Sequence, residues 1–303
     1  MKFCWRAFVL GGLALGSLQV STPLHAQWRA TDDAGREVIL SAPAQRIVSL
    51  APNVTELLFA AGAGDQVVGG VTFSDYPAAA RGLPSVGSYT DVDVEAVLTL
   101  HPDLVVAWRS GNRPDQLDQL ARLGLTIYRT DPHALADIPT ALRRLGQLTG
   151  RADRAEAAAR TFETGLADLA ASHRDARRVS VFYQVWDAPL MTVGGDHWID
   201  QVITLCGGAN VFATLHASTP KVSLEAVLAT APEVILAGGM AGNEPRWLAQ
   251  WEQWPDLPAV RAGHLYAIDP DWLQRAGPRL LLGARAVCAA LDQARTTSPD
   301  ARR

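Results

Sequence analysis

Five aromatic side chains stand where this chain leaves apolar runs. Flat rings in such places bind planar ligands without reacting with them. Trp108 follows Leu104-Val105-Val106-Ala107 and precedes Arg109-Ser110-Gly111-Asn112. Phe73 follows an apolar run ending at Val71, and Tyr89 sits in Gly87-Ser88-Tyr89-Thr90 just before an expected helix. Trp186 follows the run Val181 to Gln184, and Asp271-Trp272 follows Leu265 to Ile268. If those runs are strands, the rings gather at carboxyl ends, the edge at which open α/β sheets take ligands.

Reactive chemistry finds less support in the residues. His101, His133, His173, His197, His216 and His264 offer no i, i+3 or i, i+4 pair, and none joins a Cys-x-x-Cys pair. A transition-metal site needs three or four converging ligands. A Gly-x-Ser-x-Gly elbow is absent. Gly194-Gly195-Asp196 and Gly238-Gly239-Met240-Ala241-Gly242 are too irregular for a phosphate loop. The expectation is no catalytic residue, no metal site and no cofactor.

The elements that must position these rings come in two copies. VEAVLTLHPDLVVA (94–107) returns as LEAVLATAPEVILA (224–237), at an offset of 130 residues (224 against 94). Glu95 falls on Glu225, Pro102 on Pro232 and Asp103 on Glu233. Each copy reads as a helix, a Pro-containing turn and a buried strand. Residues 53–68 and 197–212 form a second matching pair of helix and strand. The repeat predicts two lobes, each with its own core, and a site between them. Strands alternating with helices predict parallel sheets covered on both faces. Between the lobes, residues 152–173 carry Ala155, Ala159, Phe162, Leu166 and Leu169 at helical spacing, which predicts one helix of about six turns. Asn53 followed by Glu56 reads as a capping box for a helix from Val54 to Ala61. Asp33-Ala34-Gly35 reads as a hairpin turn.

Lys2 and Arg6, an uncharged apolar run from Ala7 to Val20 and the site Leu24-His25-Ala26 have the form of a secretory signal. The expected plan is a signal at 1–26, an N-terminal α/β lobe at 27–148, a linking helix at 149–175, a C-terminal α/β lobe at 176–295 and a disordered tail at 296–303. Loss of the signal makes the chain two charges more acidic than its formal −4. That balance argues against nucleic acid and anionic membrane surfaces as partners. No later run is long and apolar enough to cross a bilayer. Cys206 and Cys288 remain after export. An even count in an exported chain points to a disulfide, with two buried thiols as the alternative.

The runs RIVSLAPNVTELLFAAGAG (46–64), PDLVVAWRSGN (102–112), LCGGANVF (205–212), VSLEAVL (222–228) and DWLQRAGPRLLL (271–282) resemble the periplasmic cobalamin-binding proteins of ABC importers. Those proteins belong to the wider class whose two lobes are joined by a helical backbone. The resemblance extends over nearly all of the chain after residue 26. It implies two α/β sandwich lobes joined by one long helix, with the ligand cleft between them. It implies a corrin cleft lined by Phe73, Tyr89 and Trp108 on one lobe and by Trp186, Asp271, Trp272 and Arg275 on the other. It also implies Glu95 and Glu225 as docking groups for arginines of an inner-membrane permease, and a Cys206–Cys288 disulfide. The implied protein is a monomer in the periplasm that carries cobalamin as transported ligand, not as cofactor. Some family members carry a tryptophan in the loop before the second docking helix, where this chain reads His216-Ala217-Ser218-Thr219-Pro220. Some have tryptophan at Tyr89 and tyrosine at Phe73. The alternatives are an iron–siderophore or haem receptor of the same fold, and an exported α/β enzyme.

Overall fold

The computed structural model describes Met1, residues 28–238 and residues 246–297. Residues 2–26 of the expected signal and residues 298–303 of the expected tail lie outside the described residues. The chain opens with an antiparallel hairpin of β1 (Trp28–Thr31) and β2 (Glu37–Leu40), turned at the expected Asp33-Ala34-Gly35. The first lobe runs β3 (Ile47–Ser49), α1 (Pro52–Ala60), β4 (Val67–Gly69), α2 (Val94–Thr99), β5 (Leu104–Trp108), α3 (Pro114–Arg122), β6 (Ile127–Thr130) and α4 (Asp137–Thr149). α5 (Ala152–Ser172) links it to the second lobe. That lobe runs β7 (Val179–Gln184), α6 (Trp198–Leu205), β8 (Gly208–Asn210), α7 (Leu224–Thr230), β9 (Val234–Gly238), α8 (Arg246–Gln250), α9 (Pro258–Ala262), β10 (Leu265–Ile268), α10 (Pro270–Leu273) and α11 (Leu280–Thr297).

The two sheets repeat one topology. Their strand orders are β4-β3-β5-β6 and β8-β7-β9-β10, and every pairing is parallel. The duplication reaches single residues. Asp93 caps α2 by accepting from Ala96 N, and Ser223 caps α7 by accepting from Ala226 N. His101 and Ala231, equivalent residues after these helices, both turn left-handed at φ 46° and 44°. Asp103 accepts the backbone N–H of Arg46 at the start of its sheet, and Glu233 accepts that of Ser180. Glu95 and Glu225 are both exposed in the first turns of α2 and α7.

Side chains alternate across each strand, and the alternation yields an arrangement that differs from two self-contained lobes. Val105 and Ala107 of β5 pack outward with Leu117 and Leu120 of α3. Phe182 of β7 and Ile235 of β9 pack outward with Trp251 and Leu257. The opposite faces, carrying Leu104, Val106, Val181, Tyr183 and Leu236, join one core that runs through both lobes. The expectation of a separate core in each lobe is therefore corrected. Each lobe owns only its outer core, because α1, α4, α5, α6 and α11 pack together between the sheets.

The linking helix has 21 residues, about 31 Å at 1.5 Å per residue. It is fastened at both ends of its contact with the lobes. Gly146 of α4 leaves space for Ala155, and Arg143 pairs with Glu156 and Glu163 at 2.7 Å each. Gly165 leaves space for Leu281 of α11. Cys206, just after α6, is bonded to Cys288 in α11 across 82 residues of chain. The expected tail begins too early. Thr296 and Thr297 belong to α11, because His264 Nε2 meets Thr297 Oγ1 at 2.7 Å and that hydroxyl donates to Gln293 O.

Candidate functional site

The carboxyl edges of both sheets face one cavity of about 330 Å³. The first lobe lines it with Pro52, Asn53, Phe73, Tyr89 and Trp108. The second lines it with Trp186, Trp198, Asp271, Gln274 and Arg275, together with Pro270 and Ala276. Six of the seven sequence-expected cleft residues thus converge from segments up to 202 positions apart (275 against 73).

Each ring is held by its own local device. Phe73 is 70 % exposed at φ 65°, a left-handed conformation that is strained for a bulky residue. Such strain, of about 1–3 kcal/mol, persists only where its surroundings enforce it. Here a buried hydroxyl chain of Ser49, Thr55 and Ser74 anchors the turn, with contacts of 2.8 and 2.9 Å. Tyr89 lies against Trp108, ring centroids 5.8 Å apart and planes at 44°. Buried Asn112 ties both together. Its Oδ1 accepts Trp108 N at 2.7 Å, and its Nδ2 donates to Tyr89 O and Leu50 O at 2.8 Å each. Trp186 is 39 % exposed and meets Trp247 edge-on, 5.6 Å between centroids.

Trp272 is not among the lining residues. Its main chain lies instead against Gly283 of α11. The second lobe supplies Trp198 instead, which sequence reasoning missed. Its Nε1 donates to Leu273 O at 2.9 Å, and its ring lies 4.0 Å from that of His197. Burial pushes the His197 imidazole down to about 4, so it is neutral at pH 7. The neutral ring lets Nδ1 accept Ile199 N and cap α6, which fixes the helix that carries Trp198. The sequence held one signal for Trp198: its helix is the partner of α1, which starts at the opposite wall of the cavity.

Asp271 and Arg275 tie the cavity to an ion cluster beside it. The expected capping box at Asn53 and Glu56 is corrected, because α1 begins at Pro52 with Ala51 as its uncapped N-cap residue. Glu56, its side chain 2 % exposed, reaches across to the other lobe. It accepts both Nε and Nη2 of Arg279, at 2.9 and 2.7 Å, and Nη1 of Arg275 at 3.2 Å. Arg275 also meets Asp271 at 2.9 Å and Asp75 at 3.5 Å. Arg279 sits 4.3 Å from the Tyr76 ring centroid. Asp271 and Arg275 therefore face the cavity as members of an inter-lobe ion cluster. A bidentate carboxylate–guanidinium pair is geometrically specific. The pattern Asn-x-x-Glu could not reveal a partner more than 200 residues away.

Glu95 and Glu225 do not line the cavity. α2 and α7 run back to the starts of β5 and β9, which follow Thr99 and Thr230 closely at Leu104 and Val234, so their first turns lie toward the carboxyl edge of each sheet. The Glu225 carboxyl is held below the usual range by its own backbone N–H and the Ser223 hydroxyl. Among the described residues no group of three or more His, Cys, Asp or Glu is placed to hold a metal ion. No described helix is long and apolar enough to cross a membrane.

Two parallel α/β lobes joined by one helix around an aromatic cleft define a two-lobed substrate-binding protein. Residues 47–272 match the model of the periplasmic binding protein family, and the chain belongs to that family. The chain is 37 % identical over 246 residues to the vitamin B12-binding protein of Vibrio parahaemolyticus, covering 81 % of this chain and 89 % of the relative. It is 38 % identical over 250 residues to the vitamin B12-binding protein of Vibrio cholerae (strain O395), covering 82 % and 90 %. The crystal structure of the periplasmic vitamin B12 binding protein BtuF of Vibrio cholerae superposes with a TM-score of 0.75 at 36 % identity, covering 84 % of this chain and 98 % of that one. The periplasmic heme-binding protein RhuT from Roseiflexus sp. RS-1, in apo form, superposes at 0.72 with 27 % identity, covering 83 % and 99 %.

Glu56→Ala should leave the Arg279 guanidinium buried without its main carboxylate. Removing one partner of a buried pair costs roughly 3–5 kcal/mol. Urea unfolding should show a loss of that order with the ligand-free protein. A loss below about 1 kcal/mol would contradict a structural role for the pair.

Proposed function

We propose that this chain is a periplasmic receptor that captures cobalamin or a close corrinoid between its lobes and delivers it to an ABC importer of the inner membrane. It performs no covalent chemistry. The observation that carries this reading is the cavity itself, with aromatic rings from both lobes turned onto one apolar space. Such faces suit a large planar macrocycle. Phe73, Tyr89, Trp108, Trp186 and Trp198 are its walls, and Asp271 and Arg275 offer polar contacts. The curated relatives with the names quoted above support a corrinoid over other planar ligands. A ferric siderophore would call for cationic groups free to face the cleft, whereas Arg275 is engaged by Glu56, Asp75 and Asp271.

Protein mixed with cyanocobalamin and passed over a desalting column should emerge pink, with near-stoichiometric corrinoid. Trp108→Ala should weaken binding by about fivefold or more, the equivalent of ~1 kcal/mol for a stacked aromatic contact. Colourless protein would overturn the reading, and unchanged affinity would remove Trp108 from the site.

We assign Glu95 and Glu225 to permease docking. Exposed carboxylates contribute little to folding, yet they steer and orient encounter with a basic partner. Joint reversal, Glu95→Arg with Glu225→Arg, should leave corrinoid affinity within about twofold while weakening permease association. Wild-type association should also fall as salt rises. Normal transport by the double variant would contradict the assignment.

A further inference from the structure

The Trp108 indole is fixed by groups that do not themselves line the cavity. Its Nε1 donates to Asp131 Oδ1 at 3.1 Å. Gly111 lies so close to the indole that a β-carbon there would overlap it. Asn112 fixes the main chain at the root of the ring. A Trp χ2 is broad and roughly two-fold, so steric contact alone leaves the ring a choice of orientation. The hydrogen bond to Asp131 removes that choice.

Asp131 is built for the task. Its side chain is 4 % exposed, and two donors converge on one of its oxygens: Trp108 Nε1 and Ser110 Oγ, the latter at 2.6 Å. Its other oxygen meets His133 Nε2 at 3.1 Å. A carboxylate offers about four lone-pair sites, enough for these three contacts, and Arg109 Nη1 stands 3.9 Å from the second oxygen. Asp131 is itself held from behind. Its N–H donates to Asp33 Oδ2 at 2.6 Å, and the other oxygen of Asp33 pairs with Arg144 at 2.7 Å. The turn of the β1–β2 hairpin thus buttresses the residue that orients a cleft ring.

We propose that Asp131 is a positioning residue for Trp108, acting through the indole N–H to hold the Tyr89–Trp108 corner in its ligand-accepting shape. A preset corner lowers the ordering cost of binding. The proposal deepens the corrinoid reading and rests on it only for its affinity measurement.

The test is a double-mutant cycle of Asp131→Ala with Trp108→Phe, which keeps a ring and removes the N–H. It is read by cyanocobalamin calorimetry and by near-ultraviolet circular dichroism of the ligand-free protein. Asp131→Ala should weaken cyanocobalamin about fivefold in the wild-type background and less than about twofold beside Trp108→Phe. Asp131→Asn retains an acceptor oxygen and should bind within about twofold of wild type. The tryptophan dichroism should weaken in Asp131→Ala, with no further change beside Trp108→Phe. Asp131→Ser, too short to reach the indole, takes the place of the alanine variant if that one does not fold. An equal loss in both backgrounds, or an asparagine variant as weak as alanine, would overturn the proposal. If wild-type protein takes up no cyanocobalamin, the corrinoid reading falls, and the ligand-free dichroism cycle alone decides the role of Asp131.

Discussion

One carboxylate joins the two halves of this molecule beside the cleft. Glu56, on the first helix of one lobe, is almost fully removed from water and receives two arginines of the other. A buried charge of this kind is tolerated only when its partners are placed to satisfy it. The lobes must therefore meet in the arrangement that brings Arg279 into bidentate contact. The shared core and the helix Ala152–Ser172 impose the same arrangement from the sides. Leu135 N, donating to Gln201 Oε1 at 3.0 Å, adds a further inter-lobe tie. A cleft braced in this way is largely formed before ligand arrives.

The aromatic walls follow the same logic at a smaller scale. Phe73 is held in a strained turn by a hydroxyl chain, Trp108 by a carboxylate and an amide, and Trp198 by a helix capped with a neutral histidine. Each ring projects into the cavity while its polar atoms or its backbone are fixed elsewhere. Rings set in advance lose little freedom on stacking, so more of the contact energy remains as affinity. The polar groups of the cavity serve two ends at once. Asp271 and Arg275 face the cavity, and they also belong to the cluster that binds lobe to lobe.

The parts legible in the sequence are those set by local period and by duplication. The repeat at 94 and 224 placed two helices, two strands and two exposed glutamates correctly, while the capping residues Asp93 and Ser223 stand one position before it and emerged only in the structure. The apolar spacing over 152–173 marked the linking helix Ala152–Ser172, whereas the linker bounds of 149–175 overran it by three residues at each end. What escaped depends on distant partners. Glu56 stands three residues after Asn53, as a capping residue would, and nothing nearby in sequence announces Arg279. Trp272 and Trp198 are both tryptophans beside the second sheet. Which of them faces the cavity is decided by contacts distant in sequence: Trp198 Nε1 is held by Leu273 O, and the main chain of Trp272 lies against Gly283. The merging of the two inner cores was also invisible, because a repeat reports that two units are alike and not how they pack.

A preset aromatic cleft of this kind is expected to select a corrinoid over other planar or iron-bearing ligands. The most direct measurement is a calorimetric titration of one protein preparation with cyanocobalamin, cobinamide, haem and a ferric hydroxamate siderophore. The account predicts one-to-one binding of cyanocobalamin, with an affinity at least about 100-fold above that for haem or the siderophore, a discrimination of ~2.7 kcal/mol. Tighter binding of haem or of the ferric siderophore than of cyanocobalamin would contradict it.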